Sequence, residues 1–361
     1  MTGRSRVVDV GGVKIGGDNP VVVQSMTNTS TAEVEETLEQ IKGLVNLGCE
    51  LVRVAVPDSK AGEKLPEIVR GSPVPIIADI HYSPELAFTA IESGVDKLRL
   101  NPGNITDEEA IGEIAREAAS RSIPIRVGVN SGSLDKDILE KYGRTARGMV
   151  ISAEKEIELL EDEGFDEIVV SLKSSDVNRT IRANEMFDEK YDYPLHLGVT
   201  EAGGGRSGLV KSSIGIGVLL QEGIGDTIRV SLTAPPSEEV LTAYDILGSL
   251  GIRNRGVEVI SCPTCGRTEV DVERIGRKLE RRLADLEDSP RVALMGCAVN
   301  GIGEAGSADL GIVGTAEGGL LYVNGEQEKL ITSSGADEVA EILERRTRRY
   351  IKEESNGNNK G

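Results

Sequence analysis

Between about residues 20 and 250 the chain repeats one pattern eight times: a short β-branched, apolar run followed by an amphipathic stretch. The runs are Val21–Met26, Leu51–Val56, Val74–Ile80, Lys97–Leu100, Ile125–Val129, Ile168–Leu172, Leu195–Val199 and Ile228–Leu232. The spacing predicts helices at Thr31–Leu47, Pro84–Glu92, Glu108–Ser120, Glu154–Glu163, Val177–Glu189, Val210–Gln221 and Ser237–Leu247. A weaker one near Lys60–Val69 contains Pro66. Several of these helices are expected to stop at Gly48, Gly94, Gly164 and Gly223, because glycine supplies the left-handed residue past a helix end. Strands alternating with helices imply a parallel sheet. Eight units in about 230 residues suit a (β/α)8 TIM-like barrel, with a doubly wound open sheet as the alternative.

After Gly251 the rhythm changes. A strand (Val257–Ile260), a cysteine motif, a helix (Val270–Leu286) and another strand (Val292–Met295) come first. A glycine-rich loop, paired strands Leu310–Thr315 and Gly319–Val323, and a final helix Ala336–Ile351 follow. The reading is a barrel over residues 1–252, a smaller α+β domain over 253–354, and a polar, disordered tail over 355–361. The first 19 residues read as a β-hairpin that plugs one barrel end.

Charge narrows the function classes. Lys and Arg number 41 against 60 Asp and Glu, a net charge of −19, which argues against a general binder of nucleic acid or anionic membrane. No apolar run approaches the ~18 residues of a membrane helix. The start, MTGRSRVVDVGG, has no signal-peptide core, so a cytoplasmic protein is expected.

The strands carry cations where apolar residues belong: Arg53 in LVRVAVP, Arg99 in KLRLNPG, Arg126 in PIRVGVN, Lys173 in VVSLKSSD and Arg229 in TIRVSLTA. A buried cation without an anionic partner is costly. An internal salt-bridge network would explain one or two. Five at corresponding places in five strands fit better with a phosphate-rich ligand at the face where barrel strands end, gripped by forked charge-assisted bonds. Asp79 and His81 follow the third strand; Asn101, Asn130 and Ser231 share strand parity with the cations nearby. His196, Thr200 and Glu201 lie at or after the seventh strand, where Glu201 could give or take a proton.

The four cysteines are too few for a disulfide scaffold. Cys49 reads as a small buried hydrophobe. Cys262-Pro-Thr-Cys265 and Cys297 fall in the last third. Zinc, a redox disulfide and an iron–sulfur cluster are all open for such a set. Three thiolates with no histidine in the domain make a poor zinc site. A [4Fe–4S] cluster held by three thiolates leaves one iron for another ligand, and Glu304, seven residues after Cys297, could reach it.

The segments VVVQSMTNT, ADIHY, LRLNPGNI, IPIRVGVNSGSL, LHLGVTEAGGGRSG, VKSSIGIGVLLQEGIGDTIRVSL, SCPTCGR and MGCAVNGIGEA, spread along the whole chain, closely resemble the IspG/GcpE family of 4-hydroxy-3-methylbut-2-en-1-yl diphosphate synthases in its two-domain bacterial form. The resemblance implies an oxidoreductase of the non-mevalonate isoprenoid pathway. It would open 2-C-methyl-D-erythritol 2,4-cyclodiphosphate reductively to 4-hydroxy-3-methylbut-2-enyl diphosphate. It also implies that Cys262, Cys265, Cys297 and Glu304 ligate a [4Fe–4S] cluster. Arg53, Arg99, Arg126, Lys173 and Arg229 would bind the diphosphate, with Asp79, His81, Asn101, Asn130 and Ser231 around it, and Glu201 would be the acid/base. A homodimer and electrons from reduced ferredoxin or flavodoxin are implied as well. Ile302 stands where the family usually has proline, which predicts a more flexible loop before Glu304. Two other readings remain: a phosphate-binding barrel transferase with a structural zinc domain, and a non-catalytic iron–sulfur redox sensor.

Overall fold

The computed structural model describes residues 5–81, 83–100, 107–287, 290–332 and 335–358. It divides into two compact units, Met1–Arg253 and Asn254–Gly361.

The first unit begins with an antiparallel hairpin, β1 (Val8–Val10) and β2 (Val13–Ile15). Eight parallel strands follow: β3 (Val22–Met26), β4 (Leu51–Ala55), β5 (Ile76–Asp79), β6 (Lys97–Leu100), β7 (Ile125–Asn130), β8 (Ile168–Lys173), β9 (His196–Leu197) and β10 (Thr227–Ile228). Their order in the sheet is β8-β7-β6-β5-β4-β3-β10-β9, and a bridge from Val170 to Leu195 joins β8 to the chain entering β9, so the ring closes. This is the barrel expected from the repeat, and the open doubly wound sheet is set aside.

Helices α1 (Val34–Asn46), α2 (Ser59–Gly71), α3 (Pro84–Glu92), α4 (Glu108–Ser120), α5 (Lys136–Tyr142), α6 (Ala146–Asp162), α7 (Val177–Asp188), α8 (Gly205–Gln221) and α9 (Pro236–Ser249) connect the strands. Side-chain caps start several of them: Asp58, Asp107, Thr145 and Asp176 each accept the N–H three residues on. Helix α2 forms despite Pro66, capped by Asp58 and anchored by buried Leu65 and Ile68. Gly48, Gly94, Gly164 and Gly223 all take positive φ just past helix ends. Helix α5 has no counterpart in the periodicity, being short and rich in charge.

The hairpin closes the bottom of the barrel. Val8, Val10 and Ile15 pack with Val22, Leu51, Ile77 and Val169, residues at the N-terminal ends of β3, β4, β5 and β8. The pleat then fixes which residues face inward above this floor, because parity alternates along each strand.

The second unit holds a five-stranded sheet, β11 (Glu258–Ser261), β12 (Arg291–Met295), β13 (Leu310–Thr315), β14 (Gly318–Val323) and β15 (Glu326–Ile331), in that order. The first three are parallel and the last two antiparallel. Helices α10 (Val272–Arg282) and α12 (Ala336–Asn358) share a core with Leu294, Ile312 and Leu321. Helix α12 runs past Ile351 into the stretch read as a disordered tail.

A larger correction concerns the segment after Cys297. Its three glycines predict a loop, yet it forms helix α11 (Ala298–Ser307). One of them, Gly301, serves close packing: a Cβ there would lie 2.7 Å from Val313 Cγ1 and 3.0 Å from Met295 Cβ. Ile302 is therefore an exposed helical residue, and the expected flexible loop is absent. No helix among the described residues is long and apolar enough to cross a membrane.

Candidate functional site

Strand register brings the predicted cations together. Arg53 pairs across to Met26 and Ile77, Asp79 to Ala55 and Arg99, Arg99 to Arg126, and Asn130 to Lys173. Paired positions in a parallel sheet point the same way, so these side chains share the barrel interior with Lys97 and His196. Arg229 continues the parity of Thr227 just beyond β10.

Arg53, Arg99, Arg126 and Lys173 are all buried. Asp79 is the carboxylate they enclose. Its Oδ1 accepts from Arg99 Nη1 at 3.0 Å, and its Oδ2 stands 3.5 Å from Arg53 Nε. Burial alone would push the Asp79 carboxyl up, but Arg53 and Arg99 outweigh it and hold it at about 2. His81 Nε2 lies 3.3 Å from Arg99 Nη1 and, since a guanidinium only donates, it is the acceptor. Arg53 also turns its Nε and Nη2 onto Met26 Sδ at 3.2 and 3.0 Å. At the rim, Glu239 of α9 faces Arg229, with Oε2 3.5 Å from Nε.

Two carboxylates cannot neutralise this set. Burial first, then its guanidinium neighbours, pushes Arg126 well below its ordinary value, and Lys173 is lowered by the same causes. Arg53 is pushed down to about 9 by burial, against the pull of Asp79. Such a site stores repulsion that an anion relieves on entering, which is how a buried cationic pit selects phosphates.

The remaining predicted residues sit as follows. Asn130 ends β7, half-buried, and Ser231 is half-buried beyond β10. Glu201 is exposed in the turn after β9 with φ +53°, a left-handed conformation unusual for a residue with a side chain. Asn101 lies outside the described residues. Cys49 is fully buried, as expected, and burial pushes its thiol up to about 12. His196 is buried in β9, its Nδ1 against Thr227 Oγ1.

Sequence reasoning missed four contributors. Gly128 and Gly198 are spaces for cations: a Cβ at Gly128 would lie 2.8 Å from Arg99 Nε, and one at Gly198 2.8 Å from Lys173 Nζ. Glu239 hid among the solvent-facing acids of α9. Lys97 lies two residues before Arg99, on the same side of β6, a parity that could have revealed it.

In the second unit, β11 and β12 run side by side and both end in thiols. Cys262 N–H donates to Leu294 O at 3.2 Å, and Gly296 N–H donates to Cys262 Sγ at 3.2 Å. Cys297 occupies the N-cap position of α11 without a side-chain capping hydrogen bond. Cys265 is exposed in the loop after Cys262, its N–H donating to Thr268 Oγ1. All four cysteines are free. Glu304 lies on α11, exposed. Among the described residues no three His, Cys, Asp or Glu side chains converge on a point where one metal ion would sit. An iron–sulfur cluster is larger than an ion and does not require that convergence. The soft thiol donors, one already receiving a main-chain N–H, suit it.

A closed parallel barrel with a cation-lined interior, carried on one chain with a unit of three free thiols, defines a cation-lined barrel protein with a thiol-bearing second unit. Comparison with known proteins narrows the class. The GcpE TIM-barrel domain matches residues 5–244 and the GcpE protein C-terminal domain matches 258–347. The 4-hydroxy-3-methylbut-2-en-1-yl diphosphate synthase (flavodoxin) of Persephonella marina is 55% identical over 91% of this chain and 94% of its own. Its counterpart in Aquifex aeolicus is 52% identical over 92% and 93%. A truncated 3-deoxy-D-arabino-heptulosonate 7-phosphate synthase from Thermotoga maritima superposes with a TM-score of 0.51 at 13% identity, covering 70% of this chain and 95% of that one, a likeness of fold alone. The chain belongs to the GcpE family.

Proposed function

We propose that the chain is an oxidoreductase that converts 2-C-methyl-D-erythritol 2,4-cyclodiphosphate to 4-hydroxy-3-methylbut-2-enyl diphosphate. The reaction takes up two electrons, opens the cyclic diphosphate and releases the hydroxyl as water. The observation that carries this reading is the barrel interior, where Arg53, Arg99, Arg126, Lys173 and Arg229 outnumber the carboxylates that face them. A cyclic diphosphate supplies the missing negative charge. It would bind to those five groups, with Asp79 orienting Arg53 and Arg99 and with His81, Asn130 and Ser231 at the edges. Asn101 keeps the role implied by its motif. Glu201 would hold, on its carboxyl, the proton that leaves with the hydroxyl. Glu201 follows β9 in the chain, on the side where barrel strands commonly present catalytic groups.

Cys262, Cys265, Cys297 and Glu304 would hold a [4Fe–4S] cluster, and that group, when bound, supplies electrons singly from reduced ferredoxin or flavodoxin. The relatives' printed name supports flavodoxin. A homodimer fits the exposed apolar face of α8, where Val210, Ile214 and Val218 recur at four-residue spacing, 51%, 49% and 38% exposed.

The test is turnover of the cyclodiphosphate by anaerobically prepared protein with a low-potential reductant. Product is expected. An intact cluster without product would refute the reading. A colourless, iron-free protein after anaerobic preparation would favour the zinc-bearing transferase instead.

A further inference from the structure

The barrel floor carries a cation that the reading above leaves unused. Lys97 opens β6 and pairs with Ile77, a residue of the apolar plug, so it sits one layer below Arg99. It is 0% exposed, and its Nζ has no hydrogen-bond partner among the described residues. Other polar atoms of the barrel interior share this condition. Arg126 Nε and Nη1, His196 Nε2 and both polar ends of Gln24 are buried and equally unpartnered among the described residues. Burial first, then the cations Arg126 and Arg53, pushes Lys97 well below its ordinary value, so its charged form lacks a counter-charge here. Asp79, a buried carboxylate among these cations, already serves Arg53 and Arg99.

A lysine kept for packing alone would do worse here than methionine, which fills the same volume without an ammonium to desolvate. A fold that retains the amine against that cost gains something from its charge. In a poorly screened interior, a unit charge acts across several ångströms with much of its contact strength.

We propose that Lys97 is a positioning residue of the diphosphate site: from beneath Arg99 and Arg126 its charge strengthens the hold on the anion at the barrel mouth. This rests on the reading of the barrel as a diphosphate site. Lys97 does not touch the reacting atoms. An anion entering above it favours the charged form of Lys97, whose field then adds to those of the guanidinium groups. The anion in turn supplies the negative charge that the floor lacks.

The experiment is calorimetric titration of inorganic pyrophosphate into anaerobically prepared whole protein, as wild type, Lys97→Met and Lys97→Gln, with Tm measured in parallel. Lys97→Met is expected to raise Tm by a few degrees, since a buried unpartnered amine is removed, while weakening pyrophosphate about tenfold or more. A purely structural lysine would move Tm alone. Unchanged affinity in Lys97→Met, with the wild type binding normally, would overturn this inference and leave the diphosphate reading standing. A wild type that does not bind pyrophosphate would remove both. If neither variant folds, Lys97 holds the barrel together rather than the anion, and the inference is overturned.

Discussion

Replacing Gly128 by alanine should damage the site while leaving the fold. The added Cβ would lie 2.8 Å from Arg99 Nε and 3.3 Å from Nη2, against the 3.4 Å at which contact becomes ordinary, so the guanidinium must retreat by about 0.6 Å. Arg99 donates to Asp79 at 3.0 Å, to His81 at 3.3 Å and to Gly128 O at 3.4 Å, so the last bond is lost and the first two lengthen. The obstructing atoms are the far end of a flexible side chain and no backbone is in the way, so the folding cost should stay near ~1 kcal/mol. A misdirected guanidinium gives up charge-assisted bonds to phosphate worth about 1.5–3 kcal/mol, so affinity for the cyclodiphosphate should fall roughly 10- to 100-fold. The assay pairs KM, measured anaerobically with a low-potential reductant, with urea denaturation of the same preparation. An unchanged KM would refute the claim that Gly128 is a space reserved for Arg99. A collapse of stability with no separate loss of affinity would refute the claim that the fold tolerates the methyl.

Asp79→Asn removes the carboxylate between Arg53 and Arg99, and the uncompensated cations should cost about 3–5 kcal/mol, read by denaturant midpoint at neutral pH. Because the folded Asp79 carboxyl is held at about 2, below its ordinary 3.8, its stabilising contribution is present above pH ~4 and lost as pH falls towards 2. The difference in stability between wild type and Asp79→Asn should narrow across that window, and a constant difference would contradict the assignment. Cys297→Ser should abolish bound iron and turnover while preserving the circular dichroism of the fold; full iron content with normal turnover would exclude the thiol as a ligand. Gly301→Val should destabilise the second unit by about 1–3 kcal/mol in thermal melts, because its side chain would meet Val313 and Met295. No effect there would mean that α11 does not pack as described.

How far a feature was legible depends on whether its signal is local. The eight units were readable because strand and helix periods are written in consecutive residues. Arg53, Arg99, Arg126, Lys173 and Arg229 were readable because a charge inside an apolar run stands out in one dimension. The CxxC motif and Cys297 were equally plain as candidate ligands. Layer height within the barrel, by contrast, arises from strand register and tilt, which involve pairs of strands far apart in the chain. Only the folded barrel therefore put Lys97 on the floor beside Ile77, Asp79 between two arginines, and Glu239 from α9 against Arg229. Glycine was the most misleading letter. In one dimension it reads as a turn, yet Gly128 and Gly198 are gaps for guanidinium and ammonium groups, and Gly301 lets a helix lie close on a sheet. A missing side chain has no meaning until the neighbour that fills its space is known, and that neighbour is brought there only by tertiary packing.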